Sequence, residues 1–307
     1  MKPVPQPDAN ESTSRPGPEG AQFNTRIPII CSSPGPGQTS LSRAGKAPDS
    51  MNSSEGLLMT IGALAPNNNR LLASLPAEEY RRLLPDLQPI ELEVGDILQK
   101  PGQNQACAIF PCAGSVAMNY QMEDGASVAI AVVGREGLVG LSMFLDGAPA
   151  SSYAVVQTAG HAFRLGAGPV LRELRSPGRL QLLAFRYVQA LMTQTAQTAV
   201  CNRHHNLDQQ ICRWLLLSLD RHPGNELNMT QESIAQMLGV RREGITAAAG
   251  KLQDAGVINY SRGRIVILDR PALEALACEC YSVVRDEYER LLPVAMGQRR
   301  HLQAVHQ

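Results

Sequence analysis

The chain has 307 residues, 44% of them hydrophobic, and its 28 Lys and Arg balance 28 Asp and Glu to a formal net charge of zero. That length and apolar content suffice for two domains with real cores. Zero net charge argues against coating of nucleic acid by a broad basic surface, so any such contact must come from a local patch. No apolar stretch is long enough to span a bilayer, and Met1-Lys2-Pro3-Val4-Pro5 opens no signal-peptide apolar run. The expectation is a cytoplasmic protein without a membrane partner. Seven cysteines, an odd number, fit reduced thiols.

Residues 1–58 are rich in Pro, Gly and Ser and are expected to form a disordered extension, with Met51 an alternative start. Apolar spacing then predicts a helix from Leu71 to Leu84. Short apolar segments follow at Ile90–Leu92, Ile97–Leu98, Ala106–Phe110, Ser115–Tyr120, Val128–Val133, Tyr153–Thr158 and His161–Leu165. Turn pairs such as Asp124-Gly125 and Asp146-Gly147 separate them, as in a small β-roll spanning residues 59–178. Past Pro177-Gly178 a long helix is predicted, residues 179–206. Leu180, Ala184, Tyr187, Leu191, Gln194, Thr198 and Cys201 recur four and three residues apart along it, the spacing of a dimer seam. A further helix runs from Leu207 to Asp220, with Ile211, Trp214, Leu215 and Leu219 inward, and a last one from Ala272 to about Leu292 within residues 271–307.

The most informative stretch lies between these two helices, in a segment of residues 207–270. Thr230 is a plausible N-cap, Ile234, Met237 and Leu238 form an apolar stripe, and Gly239 ends that helix. A second helix is predicted from Arg242 to Ala255, although Arg241 stands where a cap is needed and arginine cannot cap. Arg242, Glu243 and Thr246 fall on the outer face of its first turn. Val257-Ile258 and Ile265–Leu268 flank Ser261-Arg262-Gly263-Arg264, a hairpin with a basic tip. This is the pattern of a winged helix-turn-helix, whose second helix reads base edges with its N-terminal residues. Arginine suits guanine O6 and N7, and glutamate accepts from cytosine N4. The candidate contacts to double-stranded DNA are Thr230, Arg241, Arg242, Glu243, Thr246, Arg262 and Arg264.

With the run Asp208-Gln209-Gln210-Ile211-Cys212-Arg213-Trp214-Leu215-Leu216 and the turn Leu238-Gly239-Val240-Arg241-Arg242-Glu243-Gly244-Ile245-Thr246 in this order, residues 65–270 resemble the Crp/Fnr family of bacterial transcription regulators. The resemblance implies an α+β fold: a cyclic-nucleotide-binding-like roll, a dimerisation helix and a C-terminal winged helix-turn-helix. It implies a homodimer on a near-palindromic site, with RNA polymerase as a partner. Arg242 and Glu243 match the family's base-reading pair, whereas Ala247 stands where a third reader, an arginine, is frequent. Cyclic-nucleotide binders of the family hold the ribose with a Gly-Glu pair and the phosphate with Arg-Ser or Arg-Thr. Here Gly140-Leu141 and Ser151-Ser152 stand at those places, so the effector is expected to be something other than cyclic AMP. The effector-pocket candidates are Gly140, Leu141, Ser151, Ser152 and, on the long helix, Thr198.

The family's iron–sulfur members use an N-terminal cysteine cluster, but this chain has only Cys31 before the roll, with Cys107 and Cys112 inside it. Cys201 to His205 with Cys278-Glu279-Cys280 offers thiolate and imidazole ligands for a metal or haem. Packing is the simpler account, with Cys201 a seam residue, and no metal or cofactor is expected. No catalytic residue is expected either: His161 is isolated and Gly134-Arg135-Glu136-Gly137 is too short for a phosphate loop. Arg135 and Glu136 read as surface loop charges. A regulatory module acting on a protein partner, with a DNA reader weakened by Ala247, is the competing reading. The intact Arg242-Glu243 pair and the Arg262, Arg264 hairpin favour DNA.

Overall fold

The computed structural model describes residues 65–175, 178–221 and 224–293. The extension 1–58, Met51, Cys31 and the chain beyond 293 lie outside the described residues. Two short helices open it, α1 (Arg70–Ala73) and α2 (Ala77–Leu83), where the apolar spacing predicts one. Pro76 explains the break, since it lacks the N–H that would continue a helix and stands at the N-cap of α2.

Seven strands form the roll: β1 (Leu87–Leu92), β2 (Ile97–Gln99), β3 (Cys107–Pro111), β4 (Ser115–Gln121), β5 (Ser127–Val133), β6 (Tyr153–Thr158) and β7 (Gly160–Gly166). Each overlaps its predicted segment. They pair antiparallel in two sheets, β1-β7-β3 and β2-β6-β4-β5. Ile109, Phe110, Val116, Ala154, Val156 and Leu165 are buried within it. A helix that the spacing does not predict, α3 (Ala167–Leu174), follows β7. Gly168-Pro169 gives no helical signal in sequence, yet proline in a first helical turn forfeits no intrahelical bond.

The long helix α4 (Arg179–His204) has 26 residues, a span of roughly 39 Å. Gly178 has no side chain to cap it. The Glu79 carboxylate of α2 does so instead, accepting from Arg179 N and Leu180 N at 3.0–3.2 Å. The face predicted as the dimer seam is used differently: Leu180, Ala184, Tyr187, Gln194 and Cys201 are buried within their own chain. Apolar residues at four-and-three spacing occur on more than one side of this helix, and the roll and the last helix cover that side. Leu182, Phe185, Gln189, Met192, Ala196 and Ala199, also spaced three and four apart, are left exposed.

Next comes α5 (Leu207–Leu219), started by a capping box in which Asn206 and Gln209 satisfy each other's backbone N–H. Gln210 to Leu219 are buried, so this helix is the core of the second domain. Around it lie β8 (Glu226–Asn228), α6 (Gln231–Leu238), α7 (Arg242–Asp254), β9 (Ile258–Ser261), β10 (Arg264–Ile267) and α8 (Arg270–Leu276). The hairpin gains a third strand that the sequence pattern missed, giving the order β8-β10-β9. Three residues are too few to show periodicity.

The single last helix predicted from Ala272 is two: α8 ends at Leu276 and α9 (Cys280–Leu291) restarts after an extended Ala277. No proline or glycine signals this break. Cys278 and Cys280 are buried at it, beside Cys201. The expectation of reduced thiols holds for Cys112, Cys201, Cys212, Cys278 and Cys280. Cys107 is disulfide-bonded, which an odd cysteine count does not forbid.

Candidate nucleic-acid interface

The second domain is built so that the first turn of α7 points outward. Thr230 caps α6, its Oγ1 accepting from Ser233 N at 3.1 Å, and Glu232 in the first turn complements the positive helix end. Gly239 ends α6 at φ +66°, a left-handed conformation that lets the chain turn within three residues into α7. Ile245, Ala248, Ala249 and Leu252 are buried. The spacing of a helix then forces Arg242, Glu243, Thr246 and Ala247 to the exposed face. Arg241 occupies the N-cap position and makes no side-chain cap, as expected of arginine.

The basic turn of the wing comes up beside this helix. Arg262 (φ +51°) and Gly263 (φ +80°) are the two central residues of the β9–β10 turn, both with positive φ as the twist of a two-residue hairpin demands. Gly263 O accepts from Met229 N at 2.7 Å, which pins the tip next to the N-cap of α6. Thr230, Gln231, Arg242, Tyr260 and Arg262 thus line one cleft of about 480 Å³. Tyr260, missed by the sequence reading, donates from its hydroxyl to Met229 O at 2.9 Å, and burial pushes its pKa up, keeping it a neutral donor. Its place two residues after Ile258, on the same covered face of β9, was the only available signal.

Two candidates are engaged within the domain. Thr246 Oγ1 lies 2.7 Å from Gln231 Oε1 and 3.1 Å from Arg242 O, joining α6 to α7. Arg264 is paired with Glu226 of β8, a solvent-exposed ion pair. Arg242, Glu243 and Arg262 have no side-chain hydrogen bond or ion pair among the described residues.

The effector-pocket candidates are each held by a different neighbour. Gly140 sits at φ +90°, where a Cβ would stand 2.7 Å from Cys107 O, so the backbone approach to β3 alone demands glycine. Leu141 packs against the core. Ser151 Oγ lies 2.7 Å from Tyr120 Oη, and Gln99 Nε2 donates to Ser152 O at 3.1 Å. Thr198 accepts from Arg213 Nη2 at 2.8 Å and donates to Gln194 O.

Arg135 and Glu136 depart from their expected role as surface charges. Glu136 is buried, and its Oε1 lies 2.7 Å from Arg221 Nε, also buried, just after α5. Arg221 Nη2 donates to Gln194 Oε1 at 3.1 Å, Tyr288 Oη donates to the same oxygen at 2.9 Å, and Gln194 Nε2 donates to Val132 O. Roll, long helix, second domain and last helix meet in this network. Arg135 lines a cleft of about 490 Å³ beside it, with Arg70, Asp220, Arg270 and Arg285. Sequence patterning cannot find such a site, because its members are far apart in the chain.

A sensory-type roll joined through a long helix to a winged helix-turn-helix with an open, basic reading face is the architecture of a DNA-binding regulator. Residues 89–176 match the cyclic nucleotide-binding domain family and residues 209–276 the Crp-like helix-turn-helix domain family. The chain belongs to the Crp/Fnr family of transcription regulators. Among solved structures, a Crp/Fnr-family regulator from Eubacterium rectale is 19% identical with a TM-score of 0.54, covering 68% of this chain and 98% of its own. FixK2 from Bradyrhizobium japonicum is 13% identical with a TM-score of 0.53, covering 62% and 98%. The c-di-GMP-responsive global regulator CLP of Xanthomonas campestris is 17% identical with a TM-score of 0.50, covering 63% and 100%. At these identities the likeness is one of fold. No curated protein matches the chain.

Proposed function

We propose that this protein is a homodimeric, sequence-specific DNA-binding transcription regulator whose effector is not a cyclic nucleotide. The observation that carries the reading is the convergence of Thr230, Arg242 and Arg262 on one exposed cleft, with Glu243 beside them. Arg242 and Glu243 read base edges, while Arg262 at the wing tip and Thr230 at the helix start contact phosphate. Arg241 and Arg264 add charge nearby, Arg264 by exchanging its exposed Glu226 partner for phosphate. The protein works in the cytoplasm alongside RNA polymerase and performs no catalysis. Among the described residues no helix is long and apolar enough to cross a membrane. The reading keeps the domain bounds expected from the sequence: extension 1–58, roll 59–178, helix 179–206, DNA reader 207–270 and C-terminal helix and tail 271–307. Footprinting on genomic fragments tests the reading, and the expected result is two inverted half-sites about 34 Å apart. A single unrepeated half-site contradicts the dimer.

The dimer forms through the exposed face of α4, with Leu182, Phe185, Met192 and Ala196 as its apolar positions. Met192 is 62% exposed in the single chain. Met192→Asp is therefore expected to leave the fold intact, give monomers by analytical ultracentrifugation, and lower affinity for the paired site by about tenfold or more. A variant that stays dimeric moves the interface elsewhere.

Cyclic AMP and cyclic GMP are expected to give no saturable heat in calorimetry at micromolar concentrations. Leu141 offers no acceptor to a ribose hydroxyl, and Ser151 offers one short neutral donor where a charged fork is needed. Micromolar binding that also strengthens DNA affinity overturns this.

A further inference from the structure

Cys201, His205, Cys278 and Cys280 stand together where α4 ends and α8 gives way to α9. Their four ligand atoms all lie within 4.8 Å of one another. Cys201 Sγ is 3.5 Å from Cys278 Sγ, and Cys280 Sγ is 3.5 Å from His205 Nδ1. Four ligands around one zinc ion, with Zn–S about 2.3 Å and Zn–N about 2.0 Å, sit roughly 3.5–3.8 Å apart along the tetrahedron's edges. The two measured pairs already have that spacing. An iron–sulfur cluster spreads its cysteines over several metal atoms and needs a wider set.

Three further observations point the same way. The three thiols form a small buried cluster of their own, separate from the main hydrophobic core, so apolar packing does not explain their company. His205 Nε2 lies 3.3 Å from Glu279 Oε2, the carboxylate partner that orients a metal-binding imidazole through its other nitrogen. Arg213 is 4% exposed, within electrostatic reach of Cys201 and Cys280, and bonded through Nη2 to Thr198. Among the described residues its Nε has no partner and no carboxylate is in ion-pair range. A buried guanidinium without a counter-charge is costly. One divalent ion with three thiolates and a neutral imidazole carries a net charge of minus one, which Arg213 neutralises.

We propose that Cys201, His205, Cys278 and Cys280 bind one zinc ion in a closed structural site that fastens the end of the long helix to the junction of the last two helices. The sequence reading treated these residues as packing, with no metal. The helical break at Ala277–Glu279, for which the sequence has no proline or glycine, is then the conformation that delivers two thiols from one short stretch. Zinc binding displaces one proton from each thiol, and all four positions are filled by protein, which leaves none for substrate.

The test is elemental analysis of the full-length protein purified under reducing conditions without added chelator, followed by cobalt exchange. The expected result is about one zinc per chain and, with cobalt, the visible bands of a tetrahedral thiolate site. Cys280→Ser and His205→Ala are expected to lose most of the metal and lower the melting temperature. His205→Cys, which restores a fourth thiolate, keeps it, as do the controls Cys112→Ser and Cys212→Ser. Fewer than about 0.1 zinc per chain, both as purified and after incubation with zinc salt, overturns the proposal. So does iron with acid-labile sulfide, a haem spectrum, or metal that stays when Cys280 is replaced in a variant that still folds.

Discussion

Glu136→Ala is expected to lower the unfolding free energy by about 3–5 kcal/mol. The reason is what remains behind. Arg221 keeps its bonds to Leu217 O and Gln194 Oε1 and its place over the Tyr288 ring, 5.6 Å from the centroid, but it loses its ion-pair partner, and the more distant Asp220 carboxylate is already paired with Arg270. Both side chains of the pair are under a tenth exposed, so the carboxylate and not water neutralises Arg221 in the parent. The double variant Glu136→Leu, Arg221→Met removes both charges and is expected to recover most of the loss, because the attraction of a buried pair roughly offsets its desolvation. Urea denaturation of the single and double variants measures both values. Removing Arg81, whose pair with Glu78 is exposed on both sides, is the control and should be nearly silent. A Glu136→Ala protein within about 1 kcal/mol of the parent means the charge is solvated after all. Since the pair joins the roll to the DNA reader, Glu136→Ala is also expected to uncouple their melting into two transitions.

Arg242→Ala is expected to weaken binding to the best site by about 1–3 kcal/mol, or roughly five- to 150-fold, and to relax preference at one base pair of each half-site. Arg242 is exposed on the first turn of α7 and has no side-chain partner within the described residues to be released from. Its guanidinium is therefore free to form a bidentate bond to a guanine edge. Arg262→Ala acts differently. That side chain sits on the wing tip, so its loss should weaken all sequences alike and flatten the salt dependence by about one unit of slope. Titrations of both variants on specific and scrambled duplexes at several salt concentrations separate the two kinds of contact. Equal loss for Arg242→Ala on both duplexes assigns it to phosphate.

Much of this molecule is legible residue by residue. The strands from β1 to β7 are readable because alternating apolar residues bounded by glycine turns are local properties. The same holds for the N-cap Thr230, the stop at Gly239 and the outward first turn of α7, which need only a few consecutive residues. The candidate DNA contacts could be named from sequence for that reason. Thr246 and Arg264 show the edge of the method. Their side chains reach Gln231 and Glu226, 15 and 38 residues away, and no local rule announces such partners.

The sequence by itself determined the order of the elements, the exposed face of α7 and the absence of an arginine at Ser151, since each depends on residues close together in the chain. Tertiary structure alone decided which side of α4 is covered, because two sides of that helix carry suitably spaced residues and the placement of the roll, through Val132 on Gln194, and of the last helix, through Tyr288 at a ring distance of 6.4 Å from Tyr187, selects one. It likewise decided that Glu136 is buried, through Arg221, and that the last helix breaks after Leu276. That break carries Cys278 to Cys201 across 77 residues of chain. Contacts over such separations are set by how whole elements pack, and packing is a property of the assembled core that no short window of sequence contains.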